Sequence, residues 1–210
     1  MHNNTKRYKR QSLLKRIANY IKISLLSWNG FFHYGKNLRI LGGVPYLKAP
    51  KTAVGGVFVG DNVVLNSDSK NSNTNMTTRM KFVLGYEGNI TIGNNCDFNG
   101  ICIVSYKRVR IGDNCQFASS TMIADTDFHP VDNAERLKQM TGEPFDYAKV
   151  KKDDIIIGDN CWVGWGCIIL KGAKIGNNSI VAAGSVVLGK EYPPNSIIAG
   201  NPAQVVKSNI

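Results

Sequence analysis

The side chains of this 210-residue chain best matched to proton transfer near neutral pH are its three histidines. His2 and His33 lie in a basic N-terminal segment. His129 closes the run Asp125-Thr126-Asp127-Phe128-His129-Pro130. An imidazole titrates near neutrality, so it can stand as a free base and still accept a proton from a weakly acidic nucleophile. Such a base needs one tautomer held in place. Asp125 and Asp127 are the expected partners for the other ring nitrogen, and a backbone carbonyl would serve as well. The five cysteines, Cys96, Cys102, Cys115, Cys161 and Cys167, contain no Cys-x-x-Cys pair. They are expected to be free, small and buried, with no metal site.

The elements that must position His129 are set by a repeat of six. Ile157, Val163, Ile169, Ile175, Val181 and Val187 recur at that period. Ile92, Phe98 and Val104 show the same register, which slips by one residue and resumes as Ile111, Phe117 and Ile123. Val59 and Leu65 suggest an earlier coil. A period of six scatters around a helix axis. It suits a triangular solenoid, in which each unit supplies one short strand and one corner and three units complete a coil. The Gly-Asn and Gly-Asp pairs fall where the backbone must bend. The five cysteines each follow a repeat residue by four and are read as sharing one position. The repeat breaks after Phe128 and resumes near Ile155, which leaves a long polar loop over 129–154. Long excursions from a regular scaffold are often functional.

The stretches IIIGDNCWVGWG, KIGNNSIVAAGSVV and PPNSIIAGNPAQVVK resemble the hexapeptide-repeat acyltransferases, closest to sugar and capsular polysaccharide O-acetyltransferases. The resemblance covers roughly residues 55–207. It implies an all-β, left-handed parallel β-helix, although crossovers between parallel strands are normally right-handed. It further implies acetyl-CoA as co-substrate, a sugar or glycan hydroxyl as acceptor, and a homotrimer with sites between adjacent chains. His129 matches the family's catalytic histidine. Asn99 matches an acceptor contact, with Asp97 beside it, and Trp162 matches a tryptophan lining the groove. Gly164 and Trp165 are expected near the thioester carbonyl, Ala182, Ala183 and Gly184 along the pantetheine arm, and Lys190 and Lys207 near the CoA phosphates. Two departures stand out. Trp165 replaces a small residue, and the turn Leu188–Tyr192 is longer than the common pattern. Arg136, Glu143 and Asp146 of the loop are candidates to reach the acceptor.

Two segments follow from this reading: 1–52, a basic stretch with a helix, and 53–207, the β-helix with its loop. The net charge is +11, yet the first acid is Asp61 and residues 1–60 hold eleven Lys or Arg. The charge therefore belongs to the N-terminal segment, and no nucleic-acid partner is expected. Residues 8–28 read as a basic amphipathic helix, with Leu13, Leu14, Ile17, Tyr20, Ile21, Leu25 and Trp28 at helical spacing. Packing against the body and contact with an anionic membrane both remain open. The expected location is the cytoplasm, with the inner membrane face as the site of any such contact. Alternatives to sugar O-acetylation are N-acetylation of an amino sugar and a non-catalytic β-helix scaffold. A zinc enzyme on the same fold would need several histidines in the solenoid.

Overall fold

The computed structural model describes residues 13–72 and 76–210. Among these residues the strands form three faces of a prism, with seven, eight and six strands. The chain visits the faces in turn, so each strand pairs in parallel with one a full coil away. On the second face Ile40, Leu65, Phe98, Phe117, Val163, Val181 and Ile198 are in register along the axis. All are buried at 2% exposure or less. Each contributes about 1.5–3 kcal/mol of burial, and the stack is the core.

The corner from the first face to the second explains the Gly-Asx pairs. Asn37, Asn62, Asn95, Asn114, Asn160, Asn178 and Asn195 hold it with φ of 56–59°, a conformation Asn tolerates better than most residues. Their amides bond up the ladder, as Asn62 Nδ2 to Asn95 Oδ1 at 3.0 Å. The preceding glycine allows close approach of coils: a Cβ on Gly112 would lie 2.1 Å from Asp159 Oδ1.

The structure corrects three expectations. The solenoid begins at Phe32–Tyr34, which pairs with Val57–Val59, and so extends beyond the boundary expected at 53. Ile103, rather than Val104, stacks inward between Phe82 and Ile123. The corner at Gly100, with φ of 52°, is one residue shorter than its counterpart before Ile123. That slip moves Cys102 out of the position expected for it. It lies half-buried opposite Met122, while Cys96, Cys115, Cys161 and Cys167 are buried.

Both ends are covered. Helix α1 (Leu13–Ser27) lies on the first coil. Asn19 donates to Leu38 O at 2.8 Å and accepts from Ile40 N at 2.7 Å, satisfying an exposed strand edge. Ile23 and Leu26 bury beside it. The earlier part of the expected helix, with Lys9 and Arg10, lies outside the described residues. At the other end Ala203–Ser208 folds back antiparallel on Ser196–Gly200. No described helix is long and apolar enough to cross a membrane.

The expected loop 129–154 contains helix α2 (Asn133–Thr141) and a 3-10 turn, Tyr147–Lys149. Asp132 caps α2 by accepting from Glu135 N at 3.0 Å, and Gly142, with φ of 80°, ends it. Glu135 staples the segment: its carboxylate takes Lys138 Nζ at 3.0 Å and Asp146 N at 2.7 Å. The Asp146 N–H and the Lys138 ammonium hold its pKa down to about 2. A depressed acid supports the fold above its unfolded value, so the staple persists at neutral pH and opens as pH falls toward 2.

Candidate active site

His129 stands at the corner from the third face to the first, where the neighbouring coils turn within two to four residues. Asp125 anchors the start of the excursion. Its buried carboxylate accepts from Ser105 Oγ at 2.8 Å, Tyr106 N at 2.7 Å and Lys107 N at 3.0 Å. Burial pushes its pKa above the usual carboxylate range, against the pull of those three donors. Asp127 pairs with Lys171 at 2.6 Å. Phe128 then turns through φ of 62°, and the His129 side chain emerges exposed.

Neither aspartate holds the imidazole. Asp125 is committed to the preceding turn and Asp127 to Lys171. The partner is Gln139 on α2, whose Oε1 lies 2.8 Å from His129 Nδ1. Its Nε2 reaches toward Phe128 O at 3.5 Å, which fixes the amide orientation. The amide oxygen therefore accepts from Nδ1–H, and Nε2 is left with the lone pair. The polar composition of 129–154 suits a loop and gives Gln139 no prominence in the sequence. Asp132 and Glu135 in a capping box, with Gly142 after the run, were the available signal for the helix that carries it.

The loop residues expected to reach the acceptor are used locally. Arg136 donates to Pro130 O and Val131 O at 3.1 and 2.8 Å. Glu143 accepts from Thr141 Oγ1, and Asp146 caps the 3-10 turn through Ala148 N.

The remaining candidates gather elsewhere. Asn99, Gly164, Trp165, Ala182, Ala183 and Gly184 lie along the corner from the second face to the third. Asn99 accepts from Asn66 and donates to Phe117 O at 3.1 Å. With Asp97, Asn66, Asn95 and Arg39 it lines a cleft of about 210 Å³. Asp97, Gln116 and Trp162 form one outward row, and Trp162 is 54% exposed. The Gly164 N–H is taken by Val181 O at 2.8 Å. The Trp165 N–H and the Ala183 N–H have no acceptor among the described residues, so both are available donors at that corner. Ala183 and Gly184 are exposed. Lys207 is exposed on the last strand of the second face. Lys190 belongs instead to the His129 corner, where it donates to Gln204 at 2.6 Å. Within one chain the third face thus separates His129 from the groove of Asn99, Trp165 and Ala183.

Residues 154–189 match the family described as bacterial transferase hexapeptide (six repeats). The chain is 30% identical to WbbJ of Escherichia coli K12, named for O-acetyl transfer in lipopolysaccharide biosynthesis, over 69% of this chain and 74% of that one. The chain belongs to the hexapeptide-repeat transferase family. It is also 38% identical to the galactoside O-acetyltransferase of E. coli K12, over 58% of this chain and 55% of that one. The chain spans about half the length of the first curated relatives it matches, at 59%, 55% and 47%. Among solved structures, a mutant of AntD, an N-acyltransferase from Bacillus cereus in complex with dTDP and coenzyme A, superposes with a TM-score of 0.62. Identity there is 20%, over 89% of each chain. This hexapeptide transferase shares with such neighbours the left-handed parallel β-helix.

Proposed function

We propose that the chain transfers an acetyl group from acetyl-CoA to a sugar hydroxyl, with His129 as general base, in the synthesis of a surface polysaccharide. The observation that carries this reading is the held imidazole: Gln139 Oε1 accepts at Nδ1, 2.8 Å away, and the ring stands exposed at the mouth of the excursion. The hydroxyl oxygen attacks the thioester carbonyl carbon while Nε2 removes its proton. The Trp165 N–H would meet the oxyanion that develops. Collapse expels the CoA thiolate, which takes the proton back from the imidazolium. The thioester is already activated, so no covalent enzyme intermediate is needed. Ala182, Ala183 and Gly184 would take the pantetheine arm, with Lys207 near the phosphates. Asn99, Asp97 and Trp162 would face the acceptor.

The separation of His129 from this groove within one chain supports a homotrimer whose sites lie between chains. His129 of one copy then completes the groove of the next.

A second reading concerns location. Leu14, Ile17, Ile21, Leu25 and Trp28 are spaced three or four apart, opposite the buried Ile23 and Leu26. They form an exposed stripe, with Trp28 at 89% exposure. Lys6, Arg7, Lys9, Arg10, Lys15 and Arg16 accompany this stripe in sequence. An apolar helix face joined to basic residues suits an anionic membrane. It would hold the protein at the cytoplasmic face, near a membrane-linked glycan.

The transfer is tested with labelled acetyl-CoA and a panel of sugars. The product should be an ester that neutral hydroxylamine cleaves; a resistant amide would point to an amino sugar instead. His129→Ala should lower kcat by about 10²–10⁴-fold with acetyl-CoA affinity within about twofold of wild type. Near-normal turnover of that variant would remove His129 from the chemistry.

A further inference from the structure

A second cleft, of about 510 Å³, lies at the same corner as His129. Three successive turns wall it: Lys48–Pro50, Val83–Glu87 and the turn at Tyr106. The excursion folds back across those turns and closes the other side with Tyr147 and Lys152. Lys152 pairs with Glu87 at 3.0 Å, spanning from the excursion to the coil. Tyr106 makes an edge contact with Phe128, with ring centroids 6.1 Å apart. The cleft is therefore one residue removed from the imidazole-bearing position.

Its chemistry is unusual for a turn surface. Tyr86 and Tyr147 are more than half exposed, and Tyr106 is partly so. None of the three phenol hydroxyls has a hydrogen-bond partner among the described residues. The Lys48 ammonium likewise has no carboxylate partner among them. Aromatic faces pack on apolar C–H surfaces while their hydroxyls bond outward. A ring of C–H groups edged by hydroxyls, which is a pyranose, suits such walls. The volume falls in the ordinary range for small-molecule sites, about 300–1,000 Å³.

We propose that this tyrosine-walled cleft is a saccharide subsite that holds a sugar adjoining the acetylated one, making the preferred acceptor an oligosaccharide. The proposal rests on the transferase reading above. A stacked adenine is the competing occupant of such walls. The residues proposed for CoA, however, lie in later coils, beyond His129 along the axis from this cleft.

The experiment uses the full chain, acetyl-CoA, and mono- to tetrasaccharides of galactose, glucose, N-acetylglucosamine and sialic acid. Tyr86→Ala, Tyr147→Ala and Tyr147→Phe are compared with wild type, each first checked for native melting. Wild type should prefer the longer acceptors. The ratio of tetrasaccharide to monosaccharide kcat/KM should fall about tenfold in each alanine variant, and Tyr147→Phe should retain most of it. A raised KM for acetyl-CoA in the alanine variants would assign the cleft to adenine and overturn the proposal. Equal use of monosaccharides and tetrasaccharides, or a preference that survives both alanine variants, would also overturn it. If no saccharide is acetylated at all, the transferase reading fails, and the subsite falls with it.

Discussion

At the scale of the residue, the imidazole is positioned by a neutral amide. A histidine beside two aspartates invites a carboxylate partner, yet Asp125 is buried under three donors and Asp127 is held by Lys171. Gln139→Leu removes the acceptor while keeping the side-chain volume close, and kcat should fall about tenfold, the worth of one directional hydrogen bond. Gln139→Glu restores an acceptor at the same place and should recover most of that loss. Equal rates in wild type and the leucine variant would show that Gln139 does not position the base. His129 itself was legible in the sequence, because it sits where the repeat breaks. Its partner was hidden ten residues on, inside a helix that polar composition made look like loop.

At the scale of the element, coils with regular corners were plain and irregular ones were not. From Ile157 to Val187 each corner has the same length, so the period of six shows directly. In the first coil Tyr34 stands in register with Ile157 and Ile40 follows it by six residues, but Tyr34 is exposed and Leu47 follows Ile40 by seven, which hides the period. A corner shorter by one residue placed Val104 where Ile103 stacks. An N-terminal helix is present as expected, described over Leu13–Ser27, and two of its faces are apolar: Ile23 and Leu26 cover the first coil, and the other face is exposed. The membrane reading predicts co-flotation with vesicles of phosphatidylcholine and phosphatidylglycerol at low salt. Binding should weaken with added salt, since each basic residue near the surface contributes about 1 kcal/mol. Ile17→Asp, Ile21→Asp and Leu25→Asp combined should abolish it while leaving the folded body intact. Wild-type protein that stays with the soluble fraction at low salt would exclude this membrane.

At the scale of the whole molecule, the prism sets the proposed base and the proposed CoA groove on two different edges. His129 lies on one edge, and Asn99, Trp165 and Ala183 lie on the next. Nothing in a single repeat unit reveals this separation, because it depends on which corner each residue occupies after three faces have been laid down. The measurement that tests it most directly mixes two inactive variants, His129→Ala and Ala183→Trp, the second filling the proposed pantetheine path. Each alone should be nearly inactive. After joint unfolding and reassembly at equal amounts, about a quarter of wild-type activity should return, as random assembly predicts for a site shared by two chains. An inactive mixture from correctly assembled protein would place the whole site within one chain, and full activity of either variant alone would contradict the assignment of its residue.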